Sequence, residues 1–350
     1  MYKLYGGAAG EYHGNRELSK MTTLIKKSVH LLLRFLEKKD VFSFILKALI
    51  AAGLLWYIID KIGSVAVLEV LSGADMILVS AVGILGVLNI YLQYRKWKVI
   101  STAMLGVGEK GTIFRSLMYG ITAGSFTPAR IGEFVGRKLA YPGHSVLEVT
   151  LATAADKLFS FFYILFFGVC LGLLFLVEFS GVSPYLAAAL LLVVLFLLLL
   201  LVYFLLSEEF WTGFIFKKLS AVKMLSAYTK KLEVIKKLDK GTLSFNLLYS
   251  FLFYACYLFQ FGLLVMALSH SYDLSGFLWA GVLMIFVKTL VPSIALGELG
   301  IREAASIYFL SYFQIHGSVA FNAAFLLFVI NVLLPAVIGL VLLFRRNSYA

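Results

Sequence analysis

Residues 127–133 read Thr127-Pro128-Ala129-Arg130-Ile131-Gly132-Glu133, and they interrupt an apolar region that runs from about 112 to 140. A second interruption reads Pro292-Ser293-Ile294-Ala295-Leu296-Gly297-Glu298-Leu299-Gly300-Ile301-Arg302-Glu303, inside an apolar region from about 276 to 315. Charge at membrane depth is costly and marks function by default. Broken helices at that depth are tolerated only where they face protein or a watery cavity. Two charged, broken segments therefore predict a polar path through the membrane and not merely an anchor.

The composition fixes the class. The chain is 61% hydrophobic, its mean hydropathy is +0.93, and Tyr185 to Leu206 is one uninterrupted apolar run. A run of about 20 residues spans a hydrocarbon core of about 30 Å. An outer-membrane barrel would show alternating segments instead. The expected fold is an all-α polytopic membrane protein. The net charge of +12 fits cytoplasmic loops beside anionic lipid better than nucleic-acid binding. Cys170 and Cys256 lie inside apolar segments and form no disulfide framework. The five histidines are scattered without metal-ligand spacing, so no metal or other cofactor is implied.

Working outward, eight apolar regions are marked: 42–60, 74–94, 112–140, 149–177, 185–206, 244–269, 276–315 and 318–344. The pieces 112–126 and 131–140 would be helices about 22 and 15 Å long, and 276–291 and 301–315 about 24 and 22 Å. None comfortably crosses a 30 Å core alone. This predicts six full spans plus two re-entrant hairpins.

Basic residues set the orientation. Lys20, Lys26, Lys27, Arg34, Lys38 and Lys39 place the N-terminus in the cytoplasm. Arg95, Lys96, Lys98 and Lys110 read as a second cytoplasmic loop, and the eight lysines from Lys217 to Lys240 as a third. Parity puts that third stretch inside only if region three enters and returns from the cytoplasmic face. Arg345 and Arg346 put the C-terminus inside only if region seven does the same from the outer face. The second half, 185–344, is then the first half, 42–177, upside down, as in transporters built from inverted repeats. The halves share no clear residue-level similarity in this reading.

Residues 1–41 are expected to be a cytoplasmic segment in front of the membrane domain, 42–350. Met1 to Lys20 has no apolar core of a leader peptide. Thr22–Asp40 and residues 214–240 mix apolar and basic residues at helical spacing. Such helices lie on anionic membrane surfaces or pack on the spans. No soluble catalytic domain fits the basic stretch 207–243.

On a helix starting after Pro128, Arg130, Glu133 and Arg137 share one face. Proline suits a first helical turn, so Thr127, Pro128 and Gly132 are expected to shape this tip. A guanidinium grips phosphate in bidentate fashion, and a carboxylate beside it holds it in place. Arg130 or Arg137 would bind an anionic headgroup, with Glu133 as the holder. The plainer alternative is an Arg–Glu pair that only ties the hairpin together. Gly132 and Gly136, Gly120 and Gly124, and Gly168 and Gly172 form small faces for close helix contact.

In the fourth region Thr153, Asp156 and Ser160 line one stripe with Lys157 beside it. Asp156 is the expected partner of an arginine from the first hairpin, and Lys157 either joins it or snorkels to the headgroups. At the second tip, Pro292, Gly297 and Gly300 shape the break, Arg302 is expected to bind phosphate with Arg130 and Arg137, and Glu298 and Glu303, like Glu133 and Asp156, to orient the arginines or read a cationic headgroup. Lys288 binds substrate or pairs with Glu298 or Glu303. Gly106–Gly111 matches a dinucleotide-binding spacing, but no strand precedes it. No nucleophile elbow is present, and the chain is expected not to be an enzyme.

Gly124-Ser125-Phe126-Thr127-Pro128-Ala129-Arg130-Ile131-Gly132-Glu133, then Asp156-Lys157, then Leu299-Gly300-Ile301-Arg302-Glu303-Ala304-Ala305 resembles the lysylphosphatidylglycerol synthase transmembrane-region family. That family includes the flippase half of the multiple peptide resistance factor proteins. The resemblance covers about 42–344. It implies movement of an anionic or aminoacylated phospholipid between leaflets of the cell membrane, with lipid as the partner. Ala129 stands where the family often has Gly, and Gly297-Glu298 where it often has Gly-Gly. The additional carboxylate would select a cationic headgroup or satisfy Lys288. The aminoacyl-transferase domain of the synthases is absent from this sequence. Some relatives are linked to polyprenyl-phosphate or hopanoid pathways, so the alternatives are a membrane-embedded enzyme or a partner subunit acting on lipid-linked substrates.

Overall fold

The computed structural model describes residues 56, 60, 64–125, 127, 130–222, 229–291 and 299–347. All regular structure among them is helical. The helices are α1 (Ser64–Ser72), α2 (Met76–Ile100, carried on by a π turn Ser101–Leu105), α3 (Lys110–Ser125), α4 (Gly132–Lys138), α5 (Val146–Ser180) and α6 (Pro184–Leu206). After them come α7 (Phe216–Ala221), α8 (Thr229–Leu232), α9 (Lys240–Ser269), α10 (Leu274–Leu290), α11 (Ile301–Ser311), α12 (Gly317–Phe328, carried on by a π turn Val329–Leu333) and α13 (Leu334–Asn347).

Local chemistry sets the helix ends. Ser145 and Glu148 form a reciprocal capping box at the start of α5. Asp75, Asp239 and Asp273 each accept a backbone N–H at the start of α2, α9 and α10. Pro184 occupies the first turn of α6, and Gly181, with φ +67°, closes α5.

Five described helical stretches are long and apolar enough to cross a membrane: Met76–Leu105, Val146–Ser180, Pro184–Leu206, Lys240–Ser269 and Gly317–Arg345. The protein is a multi-pass membrane protein. The first apolar region, 42–60, lies outside the described residues except for Trp56 and Asp60, as does Thr22–Asp40.

Contacts sort the helix ends into two groups. At one end Tyr141 meets Ser101 (2.8 Å between hydroxyls), Lys237 Nζ donates to the Met104 carbonyl (3.3 Å), and Lys240 N donates to Glu208 (2.7 Å). At the other end Asp75 N donates to the Ala267 carbonyl (2.9 Å), the His270 ring meets the Gly73 carbonyl (3.0 Å), and Phe175, Trp279 and Tyr312 pack together. The helices α3 and α4 form an antiparallel pair that opens at the first end. There Trp97 donates to Ser116, which in turn donates to the Arg137 carbonyl. The pair α10 and α11 opens at the second end, where Gly276 packs on the Phe313 ring.

The halves contact each other reciprocally. Antiparallel α2 and α9 exchange amide bonds: Asn89 donates to the Phe253 carbonyl and Gln260 to the Val82 carbonyl, each at 3.3 Å. The α10 helix packs on α5 where Gly168 faces Phe286, and α3 packs on α13 where Gly339 faces the backbone of Met118. Gln260 lies as many positions after Asn89 as Gly339 lies after Gly168.

Three expectations are corrected. The second span does not end at residue 94: Trp97, Ile100 and Met104 are fully buried and continue the helix to Leu105, so Lys96 is not in a loop. Residues 214–240 are not one amphipathic helix. A π turn, α7, α8 and a 3-10 turn break them up, and Leu232, Ile235 and Leu238 are buried on the bundle while Val222 is exposed. Finally, α4 begins at Gly132, and Arg130 has φ +55°, so Arg130 precedes the helix instead of sharing its face with Glu133 and Arg137.

Candidate functional site

The α3–α4 pair can form only because its contact surface lacks side chains. A Cβ on Gly132 would strike the Ala123 carbonyl, and one on Gly136 the Tyr119 carbonyl. From the other side, Gly120 and Gly124 leave room for Arg137 and Glu133. The tip is tied by Thr127, whose hydroxyl donates to the Ala123 carbonyl (3.1 Å) and accepts from Gly132 N (2.7 Å).

This close packing carries Glu133 and Arg137 into the bundle, where both are buried. Glu133 and Arg137 pair at 2.7 Å, and Arg137 pairs with Asp156 of α5 at 3.0 Å. Lys96 of α2 reaches Asp156 at 3.3 Å, and its ammonium also donates to the Asp156 carbonyl and to Ser160. Lys157 pairs with the other Glu133 oxygen at 2.7 Å, and Arg130 approaches that oxygen at 3.6 Å. Two carboxylates thus join four cations from α2, the first tip and α5 into one network. Ion pairing and hydrogen bonds that replace the lost water are what let such charges persist in an apolar bundle.

One side of the network opens into a cavity of about 430 Å³. Lys157 and Arg130 are the network members that face open space, with 41% and 29% of their side chains exposed. The opposite wall brings Lys288 and Thr289 of α10, Asn331 of the π turn, and Tyr254 and Tyr257 of α9. Phe161, Ile164 and Ile285 add apolar surface. The cavity can hold an anionic group against an apolar chain.

The structure brings Arg130, Glu133, Arg137, Asp156, Lys157 and Lys288 together around this cavity. It does not bring Arg302 and Glu303 there. The Arg302 guanidinium lies over the Phe328 ring, 5.0 Å from its centroid, and Glu303 accepts from Gly300 N at 2.6 Å. Both side chains are fully buried. Gly300 has φ +92°, which suits glycine alone. Pro128, Pro292, Gly297 and Glu298 lie outside the described residues.

Lys96 is the network member that sequence reasoning missed. The signal was Trp97, Ile100 and Met104, which keep helical spacing beyond the lysine. A second missed signal links the tips: Gly132-Glu133 followed by Arg137, and Gly297-Glu298 followed by Arg302, share Gly-Glu-x-x-x-Arg. Both arginines lie over an aromatic ring, of Trp97 and of Phe328.

No curated protein and no solved structure matches the chain. The model of one family, described as the lysylphosphatidylglycerol synthase TM region, matches residues 44–339. That match takes in the first apolar region, the Arg130–Asp156 network and both helix pairs, and the chain belongs to this family.

Proposed function

We propose that the protein is a flippase-like transporter that carries a lipid with an anionic headgroup between the leaflets of the cell membrane, with both termini in the cytoplasm. Its family is one of membrane proteins of lipid metabolism or transport. The observation that carries the reading is the cavity itself. It lies between α4 and α10, which belong to helix pairs opening at opposite ends, and it is walled by charged groups that a mere anchor would not need. Alternating opening of the two pairs would expose one site to each leaflet in turn.

Six spans, two re-entrant hairpins and an inverted repeat are the architecture this reading uses. It is supported by the reciprocal amide bonds of α2 and α9, by the matched packing of α10 on α5 and α3 on α13, and by the Gly-Glu-x-x-x-Arg shared by the tips. The lysine-rich 229–240 segment and the end of α13 join the same end of the bundle as Arg95 and Lys98, as positive-inside topology requires.

Arg130 and Lys157 are assigned to the headgroup phosphate. Glu133 and Asp156 orient the cations, and Arg137 fixes the two carboxylates. In vesicles that hold the purified protein, fluorescent phospholipid in the inner leaflet should become accessible to an external quencher. Arg130→Ala should abolish that movement and keep a normal melting curve. Movement at the full rate in the variant would reject the assignment.

A further inference from the structure

The charge of the network identifies its ligand more narrowly than transport alone does. Among the described residues, Lys96, Arg130, Arg137 and Lys157 pair with two carboxylates, Glu133 and Asp156. With every group counted as ionised, this cluster of described residues carries a formal excess of two positive charges. Uncompensated charge in an apolar bundle is strongly unfavourable.

The excess faces the cavity. Arg137 and Lys96 are enclosed, whereas Arg130 and Lys157 are open to it. These two cations converge on the same Glu133 oxygen, so a group placed beside it meets both. The Nε of Arg130 is buried and has no hydrogen-bond partner, an unusual state for a guanidinium donor. Arg130 is also held at φ +55°, in a region that residues other than glycine occupy at a cost.

We infer that the group completing this cavity is a doubly charged phosphate, a phosphomonoester in preference to a phosphodiester or an aminoacylated headgroup. The inference rests on the reading of this cavity as the headgroup site. A phosphodiester brings one negative charge and leaves the network positive. An aminoacyl group adds positive charge back. A phosphomonoester, whose second pKa is about 6, carries close to two negative charges at neutral pH. It also offers three terminal oxygens for the Arg130 fork and the Lys157 ammonium.

The test is competition binding on the full-length protein in detergent, with dioleoyl phosphatidic acid, phosphatidylglycerol and lysylphosphatidylglycerol as probes. Phosphatidic acid should bind at least about 10-fold more tightly than either of the others, the least that one additional charge-assisted hydrogen bond supplies. Arg130→Gln and Lys157→Gln should each erase most of that preference. Lys157 is the most exposed cation of the network, with 41% of its side chain open, so K157Q keeps the test valid if R130Q melts early. Binding of phosphatidylglycerol or lysylphosphatidylglycerol as tight as that of phosphatidic acid would overturn the inference.

Inorganic phosphate and glycerol 3-phosphate separate the two sources of such a group. Failure of both to displace phosphatidic acid at millimolar concentration identifies a lipid, and displacement with equal affinity identifies a water-borne phosphate. A preference for phosphatidic acid without lipid movement in vesicles would remove the transport reading and leave this one standing. Movement of phosphatidylglycerol with no such preference would do the reverse.

Discussion

The Arg137 guanidinium lies 4.1 Å from the centroid of the Trp97 ring, stacked on α2 while its nitrogens reach Glu133 on one side and Asp156 on the other. A planar fork can serve both carboxylates and the ring together, and an ammonium cannot. Arg137→Lys keeps the charge but loses one carboxylate and the stacking. Each carboxylate keeps a lysine partner, so leaving one of them partly unmatched costs about 1–3 kcal/mol, and the variant should melt below the parent in detergent. An unchanged melting temperature would show that this bridge does not hold α4 to α5.

Gly136 lies against the backbone of Tyr119, where no Cβ fits, whereas a Cβ on Gly143 would meet nothing within 4 Å. Gly136→Val must push α4 away from α3, which overpacking alone makes unfavourable by about 1–3 kcal/mol. It should also move Arg137 off Trp97 and Glu133 off Lys157. Gly143→Ala should leave both stability and lipid movement as they were. Equal behaviour of the two variants would mean that the close approach of α3 and α4 is not needed to build the site.

The sequence made the class, the two breaks and most of the first charge cluster readable, because each depends on local pattern. Glu133 and Arg137 sit four apart on α4, and Asp156 meets Arg137 as expected. What was not readable depends on tertiary position. Whether Arg130 continues a helix depends on how the tip closes on Thr127, and it adopts a left-handed conformation instead. Arg302 looks like Arg137 in sequence, yet it lies over Phe328 away from the cavity, because the helix face it occupies is set by α12 and not by its own neighbours. Lys96 and Lys98 look alike as loop lysines, but the turn of α2 sends Lys96 to Asp156.

That difference between two lysines is directly measurable. Lys96→Met removes one of the two cations on Asp156 and leaves part of a buried carboxylate unmatched, a loss of about 1–3 kcal/mol. Lys98 lies in a separate, more open groove with Arg95 and Lys237, and Lys98→Met should change stability by no more than about 0.5 kcal/mol. Lipid movement should fall at least about tenfold in K96M and stay near the parent rate in K98M. Similar rates in both would return Lys96 to the class of ordinary interfacial lysines.

The architecture makes a prediction about sides that no single residue contact can make. Lys217 and Arg345 are exposed, as is Gly143 just after α4, and all three belong with the end of the bundle where Tyr141 meets Ser101. Tyr272, 72% exposed, lies between α9 and α10 at the opposite end. In a background with Cys170 and Cys256 replaced by alanine, single cysteines at these four positions report their own side. A membrane-impermeant maleimide added to intact cells should label Tyr272→Cys alone. Lys217→Cys, Arg345→Cys and Gly143→Cys should react only after permeabilisation, since basic segments stay inside. Gly143 is the decisive position: with the N-terminus inside, a single span made of α3 and α4 would carry Gly143 and Lys217 to the outer face and Tyr272, three crossings after Gly143, to the inner one, and the labelling would be reversed. The cavity would then no longer lie between pairs that open to opposite faces, and alternating access through it would have no geometric basis.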